Sequence, residues 1–149
     1  MTTRSFAEVR QDIQTAVDAI AGFWPAPVPF DGFGPNAVPN AIPATRGHLA
    51  FSVGIPSSRA ADDRQRPSDG LLVQSTVGVK FLARIAPKGQ IASVDAGFDA
   101  EVLLISKILA VGSGRLFHVA FDGSSRSTPG GGEWRLHDVR FTLYHRVSI

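Results

Sequence analysis

The sequence predicts an α+β fold, with a mainly antiparallel four-stranded sheet and two helices packed on one face. Two long segments, Leu71–Ile85 and Val139–Ile149, alternate apolar and polar residues with period two, as strands with one buried and one wet face do. Two other segments, opening near Ser5 and Ser93, repeat apolar residues at three- and four-residue steps, as amphipathic helices do. No internal repeat is visible, and 149 residues suit one domain, 1–149, large enough to bury a core.

Ser5-Phe6-Ala7-Glu8 reads as a capping box, in which Ser5 caps the helix and Glu8 reaches back to its amide. Phe6, Val9, Ile13, Val17 and Ile20 then share one helical face, and Gly22 and Pro25 end the helix. Six prolines follow, at 25, 27, 29, 35, 39 and 43. Proline fixes φ and removes a donor, so this stretch is neither a helix nor a central strand. Phe23, Trp24, Phe30 and Phe33 accompany it, and a disordered linker is poor in aromatics. The segment 25–43 is therefore read as an ordered strap lying over the sheet or over a neighbour.

Arg46–Gly54 alternates through Leu49, Phe51 and Val53 and is read as a strand. Pro56–Gly70 is a charged connection without apolar periodicity, carrying Arg59, Asp62, Asp63, Arg64, Arg66 and Asp69. It leads by a wide hairpin into Leu71–Ile85, whose odd positions are Leu71, Val73, Ser75, Val77, Val79, Phe81, Ala83 and Ile85. Fifteen extended residues span about 50 Å. A compact chain of this length has a diameter of roughly 38 Å. Unless a bulge bends it, such a strand projects as a hairpin or is completed by a neighbour, which points to assembly.

Pro87–Gln90 breaks the chain, and Ser93 or Asp95 caps a second helix running to about Ala110. Val94, Phe98, Val102, Ile105 and Leu109 form its stripe, widened by Leu103, Leu104 and Ile108. Gly112-Ser113-Gly114 stops it. Leu116–Phe121 is the third strand, and Asp122–Gly132 a Ser/Gly loop. In the last segment Trp134 and Leu136 are even whereas the apolar set from Val139 is odd, which predicts a bulge near His137-Asp138. Phe81, Val79, Phe98, Val102, Ile105, Phe141 and Leu143 are expected to meet where this helix crosses the sheet.

Zero cysteines exclude disulfides, thiol catalysis and Cys-based zinc sites. No window approaches eighteen consecutive apolar residues, so no membrane partner is expected. The N-terminus lacks the apolar stretch of a signal peptide, and synthesis in the cytoplasm is expected. The net charge is +2, and of the 15 basic residues 12 are arginine, a choice suited to planar interface pairing. There is no basic run of the kind nucleic-acid binders carry.

His48, His118, His137 and His145 match no metal-binding spacing, and His118 with His145 is the conceivable cross-strand pair. Asp62, Asp63 and Asp69 stand among arginines, which suits a solvated tip or a subunit contact better than a cation site. Asp95, Asp99 and Glu101 suit the N-terminal end of the second helix. Gly130-Gly131-Gly132 precedes a strand and lacks the Lys-Ser/Thr of a P-loop, and Ser124, Ser125 and Ser127 have no nucleophile elbow. No catalytic residue, metal site or cofactor is assigned. Lys80, Arg84, Arg140 and Arg146 project from the polar face of the two long strands, making a candidate basic sheet face. Arg59, Asp62, Asp63, Arg64, Arg66 and Asp69 are the candidate subunit or tube interface.

The order of these elements resembles the tail terminator proteins of long-tailed bacteriophages, the lambda U-like group. An N-terminal helix, a Pro/Gly-rich stretch, a strand, a charged loop and the long strand Leu71–Ile85 come first. A helix after Pro87, a strand, the Gly130–Trp134 loop and the closing strand Arg140–Ile149 complete the likeness. Within the last, Asp138-Val139-Arg140-Phe141-Thr142-Leu143-Tyr144 looks like the family's final strand. The resemblance implies a non-enzymatic virion protein forming a homohexameric ring that caps the tail tube, ends its polymerisation and joins it to the head-tail connector or neck protein. It implies assembly in the host cytoplasm, a place in the virion tail or neck, and a lumen near genomic DNA. Three alternatives remain: a neck or tail-completion protein of the same particle; a small α+β ligand-binding or enzyme domain, for which His118, His145 and Ser75 are the candidate polar residues; and a nucleic-acid-binding module using the basic sheet face, which has no aromatic there except Tyr144 for bases to stack on.

Overall fold

The computed structural model describes residues 3–34, 38–42, 47–61, 70–85, 91–112, 117–129 and 133–148. The fold is α+β, with helices α1 (Phe6–Asp18) and α2 (Ile91–Val111) and strands β1 (Trp24–Pro25), β2 (Ala50–Ala60), β3 (Leu71–Arg84), β4 (His118–Ser127) and β5 (Trp134–Val147). They form one five-stranded sheet in the order β1-β2-β3-β5-β4. The fifth strand, against the four expected, is the two-residue β1, which pairs parallel to β2. The other three pairings are antiparallel.

The capping box at Ser5 and Glu8 is present in full, and Val9, Ile13 and Val17 of α1 are fully buried. Phe6, expected on that face, is 42% exposed. In α2 the buried positions are Gly97, Glu101, Leu104 and Ile108. Val102, expected in the core, is 65% exposed, because α2 is turned so that the 97/101/104/108 stripe meets the sheet. The main core joins these helical residues to the odd positions Val77, Val79, Phe81, Val139, Phe141 and Leu143.

β3 and β5 run in one unbroken register, from Leu71 opposite Val147 to Arg84 opposite Trp134. No bulge occurs at His137-Asp138. The phase change has another cause: the even face is buried too, at one end. Trp134 and Leu136 join Leu82, Ala50, Phe33 and Ile42 in a second core, with Trp24, Ala26, Val28 and Val38 packed around it. The strap thus lies over the sheet. Ala26 is tied to it by a backbone hydrogen bond to Phe51, and a 3-10 turn at Phe30–Gly32 drops Phe30 onto the sheet.

The bulge lies instead on β4, between Phe121 and Gly123. β4 also runs six residues past Phe121, through residues expected as loop. β2 likewise starts at Ala50 and continues through Pro56 to Ala60. Pro56 is tolerated because β1 covers only Ala50 and Phe51, so among the described residues the outer edge of β2 has no strand partner at Pro56, and a register shift absorbs it.

Candidate functional site

The four residues of the predicted basic face do not form one open surface. Lys80 and Arg140 lie under the strap. Lys80 Nζ donates to the Phe30 and Phe33 carbonyls at 3.4 and 3.2 Å, and it sits 4.2 Å from the Phe30 ring centroid. Arg140 approaches the same ring, its Cζ 5.1 Å from the centroid. Its guanidinium is held by Asp138 at 2.7 and 3.1 Å, an acidic residue on this face that the alternation from Val139 onward did not include. The ring is seated over Gly54 and Gly78, which face each other across β2 and β3. A Cβ on Gly78 would lie 2.5 Å from Phe30 Cζ, and one on Gly54 would overlap the ring base. These two glycines are the socket for the strap.

Beyond the strap the even face is half-buried at Gln74, Thr76, Thr142, Tyr144 and Arg146 and exposed at Arg59. Arg59 crosses to Gln74 at 3.0 and 3.2 Å, and Thr76, Thr142, Tyr144 and Arg146 continue the surface. The Arg146 carbonyl accepts from the Arg4 amide at 2.6 Å, which fastens the N-terminus beside β5. Arg84, at the opposite end, is exposed, and its backbone amide donates to His48 Nδ1 at 3.1 Å. Of the predicted interface set, Arg59 is placed on β2. Asp62, Asp63, Arg64, Arg66 and Asp69 lie outside the described residues.

Two buried polar clusters stand on the helical side of the sheet. Glu101 is in the middle of α2, not at its N-terminal end, and is almost fully buried. Arg126 on β4 donates to its two carboxylate oxygens at 3.2 and 2.5 Å, and Ser124 donates at 3.1 Å. His137 Nδ1 lies 2.9 Å from Glu101 Oε1. A carboxylate only accepts, so Nδ1 carries the hydrogen, and the buried Nε2 has no partner among the described residues. The His137 ring stacks on Phe81 with centroids 4.5 Å apart. Burial pushes the His137 imidazole below its ordinary pKa despite the opposing pull of Glu101. Burial alone would raise the Glu101 carboxyl, but the hydrogen bonds from Arg126 and His137 outweigh it and hold the group low. The cluster clamps α2 onto β4 and β5.

The second cluster joins β2, β3 and β5. His145 Nδ1 donates to the Arg4 carbonyl at 3.1 Å, leaving Nε2 to accept from Ser75 Oγ at 3.1 Å. Ser75 Oγ in turn lies 2.7 Å from Ser58 Oγ, and Ser58 is exposed. His118 takes no part: it lies opposite Tyr144 on the even face, whereas His145 is on the odd one. Among the described residues, no three His, Asp or Glu side chains gather as a metal site, and no helix is long and apolar enough to cross a membrane.

The sequence reading missed Glu101, Arg126 and His137 as a group. One signal was available: Glu101 sits in phase with Leu104 and Ile108, so a carboxylate on that stripe needed a buried partner. No protein-family model and no curated protein matches this chain.

Proposed function

We propose that the chain is a structural virion protein, a tail terminator of the lambda U-like kind. Six copies would close into a ring that caps the tail tube, stops its growth and meets the head-tail connector, with no reaction catalysed. The observation that carries this reading is the β3–β5 ribbon. Fourteen residues on each strand stay paired without a break. Such a ribbon is about 46 Å long, which exceeds the roughly 38 Å diameter of a compact chain this size. One end of its even face is sealed by the strap, and the other carries Gln74, Thr76 and Tyr144 beside the exposed Arg59 of β2. The order helix, strap, two strands, helix, two strands supports the same reading. In a cyclic ring each contact is heterologous and closes only at a fixed rotation. A particle structure is the test: six copies at the head-proximal end of the tail are expected, and a lone copy touching no other would overturn the proposal. The same structure separates a terminator from a neck or tail-completion protein by its position.

The alternative of a small enzyme draws on one observation, the run Ser58–Ser75–His145 ending at an exposed hydroxyl. If that run activates Ser58, a fluorophosphonate should label the native chain and not its Ser58→Ala or His145→Asn variants. Absence of labelling on a folded chain removes this reading.

A further inference from the structure

Most of the large exposed apolar side chains among the described residues belong to α2 and β4. Val102 is 65% exposed, Leu103 44%, Leu109 38%, Ile91 77% and Phe121 44%, and all five lie on α2 or β4. Phe6 is the one such residue elsewhere among the described residues. The geometry makes much of this a single surface. Gly97 meets Ala83 and His137, Glu101 meets Ser124 and Arg126, and Gly112 meets Val119, so α2 runs antiparallel to β4, starting over β3 and β5 and reaching β4 at its C-terminal end. Phe98 faces Arg126, and Val102, Ile105 and Leu109 follow it at helical spacing, so that flank of α2 overhangs β4 at the level of Phe121. β4 is also the last strand of the sheet, so among the described residues its outer backbone edge has no strand beside it.

We propose that this flank, β4 with the overhanging side of α2, is where a second copy of the chain docks across a two-fold axis, β4 beside β4 and α2 beside α2. An unpaired strand edge selects another strand. An apolar surface selects an apolar counterpart, and the described surface offers none of comparable extent except this one, so the contact is self-complementary. Strands pair about 4.8 Å apart, and across that seam the C-terminal half of α2, which reaches β4 at Gly112, is the part that meets its mate. Both pairs are antiparallel under one axis, as the two-fold requires. The flank is about 30 Å long. With a depth of about 20 Å it covers roughly 600 Å² per copy and 1,200 Å² in all, the lower edge of a stable interface. The bulge at Phe121/Gly123 shortens the regular edge and keeps the pairing weak. A pair that forms at micromolar concentration or above is the expected strength.

The contact does not rest on the ring reading, and the ring needs a different, heterologous contact. The test uses the full chain in solution. Sedimentation of the unmodified chain from 1 μM to 1 mM is expected to show a monomer–dimer equilibrium. Leu109→Glu should weaken it at least tenfold with the far-ultraviolet spectrum and thermal midpoint unchanged. The chain contains no cysteine, so Leu109→Cys should link two copies on mild oxidation, whereas Gln11→Cys on the outer side of α1 should not. A chain monomeric at every concentration, a dimer indifferent to Leu109→Glu, or equal linking through both cysteines would each overturn the proposal. None of these outcomes bears on the ring, which the particle structure decides.

Discussion

Replacing Gly78 with Ala tests whether the strap is held by the socket beneath Phe30. A Cβ there would lie 2.5 and 2.8 Å from Phe30 Cζ and Cε2, well inside van der Waals contact, and moving the ring away would loosen its contacts with Lys80 and Arg140. Phe30 is almost fully buried. Its burial contributes about 1.5–3 kcal/mol, and the two cation–π contacts about 0.5–1 kcal/mol each. Phe30→Ala should therefore cost roughly 3–4 kcal/mol. Gly78→Ala forces the same ring to lift and should cost about 2–3 kcal/mol. Once Phe30 is Ala the obstruction is gone, and the added methyl should be neutral or stabilising by up to about 1 kcal/mol. Urea unfolding of the four chains, followed by emission of Trp24 in the strap and Trp134 beneath it, measures the cycle. A coupling near 2 kcal/mol or more is expected. If Gly78→Ala costs the same with and without the Phe30 ring, the glycines are not the socket and the strap is held elsewhere.

Phe141, fully buried in the main core, should cost about 3–5 kcal/mol when truncated to Ala; a loss under about 1.5 kcal/mol in the same assay would mean the core collapses around the gap. His137 and His145 are both held neutral by burial, below their ordinary pKa of 6.5. The unfolded chain then binds more protons, so stability should be complete above pH 6.5 and fall as the pH drops below it, by at most about 1.4 kcal/mol per pH unit for each ring. Unfolding free energies at pH 7.5, 6.5 and 5.5 should slope this way, and His137→Gln should flatten the slope. Glu101, whose carboxyl is held low, adds a further loss as the pH falls through 4.5. On the proposed ring reading, exchanging both Arg64 and Arg66 for Glu should impair particle assembly and leave the thermal midpoint of the free chain nearly unchanged; equal loss of both would make the charged segment internal scaffolding.

Period-two alternation made β3 and β5 legible to within two residues at most ends, and the capping box made α1 legible at its first turn. The regions that escaped were those where a face or a partner changes along one strand. Trp134 and Leu136 fell out of phase with Val139 and Phe141 because the strap buries the even face at that end only, and a one-strand pattern cannot distinguish a bulge from a second core. β4 beyond Phe121 is Asp-Gly-Ser-Ser-Arg-Ser, which has no strand propensity of its own; pairing with β5 and the Glu101 clamp hold it extended. The rotation of α2 was hidden by its breadth of apolar residues, among which only the buried partners of Glu101 fix the inward face. Of the basic face, the sequence placed the residues correctly on the even side but carried no sign that Phe30 would occupy the space between two of them.

That division of the even face bears on how the chain could assemble. Lys80 and Arg140 are engaged by Phe30, the strap carbonyls and Asp138, so they supply little free positive field. The other end of the ribbon carries Arg59, bonded to Gln74, and Arg146, with Thr76, Tyr144 and the Thr142–Asp122 hydrogen bond between them. A surface of that kind recognises by planar hydrogen bonding more than by bulk charge. Its contacts to a protein neighbour should therefore tolerate salt, whereas contacts to nucleic acid would weaken steeply as counterions compete. The salt dependence of whatever binds this end is thus the property that separates a tube or ring contact from proximity to DNA.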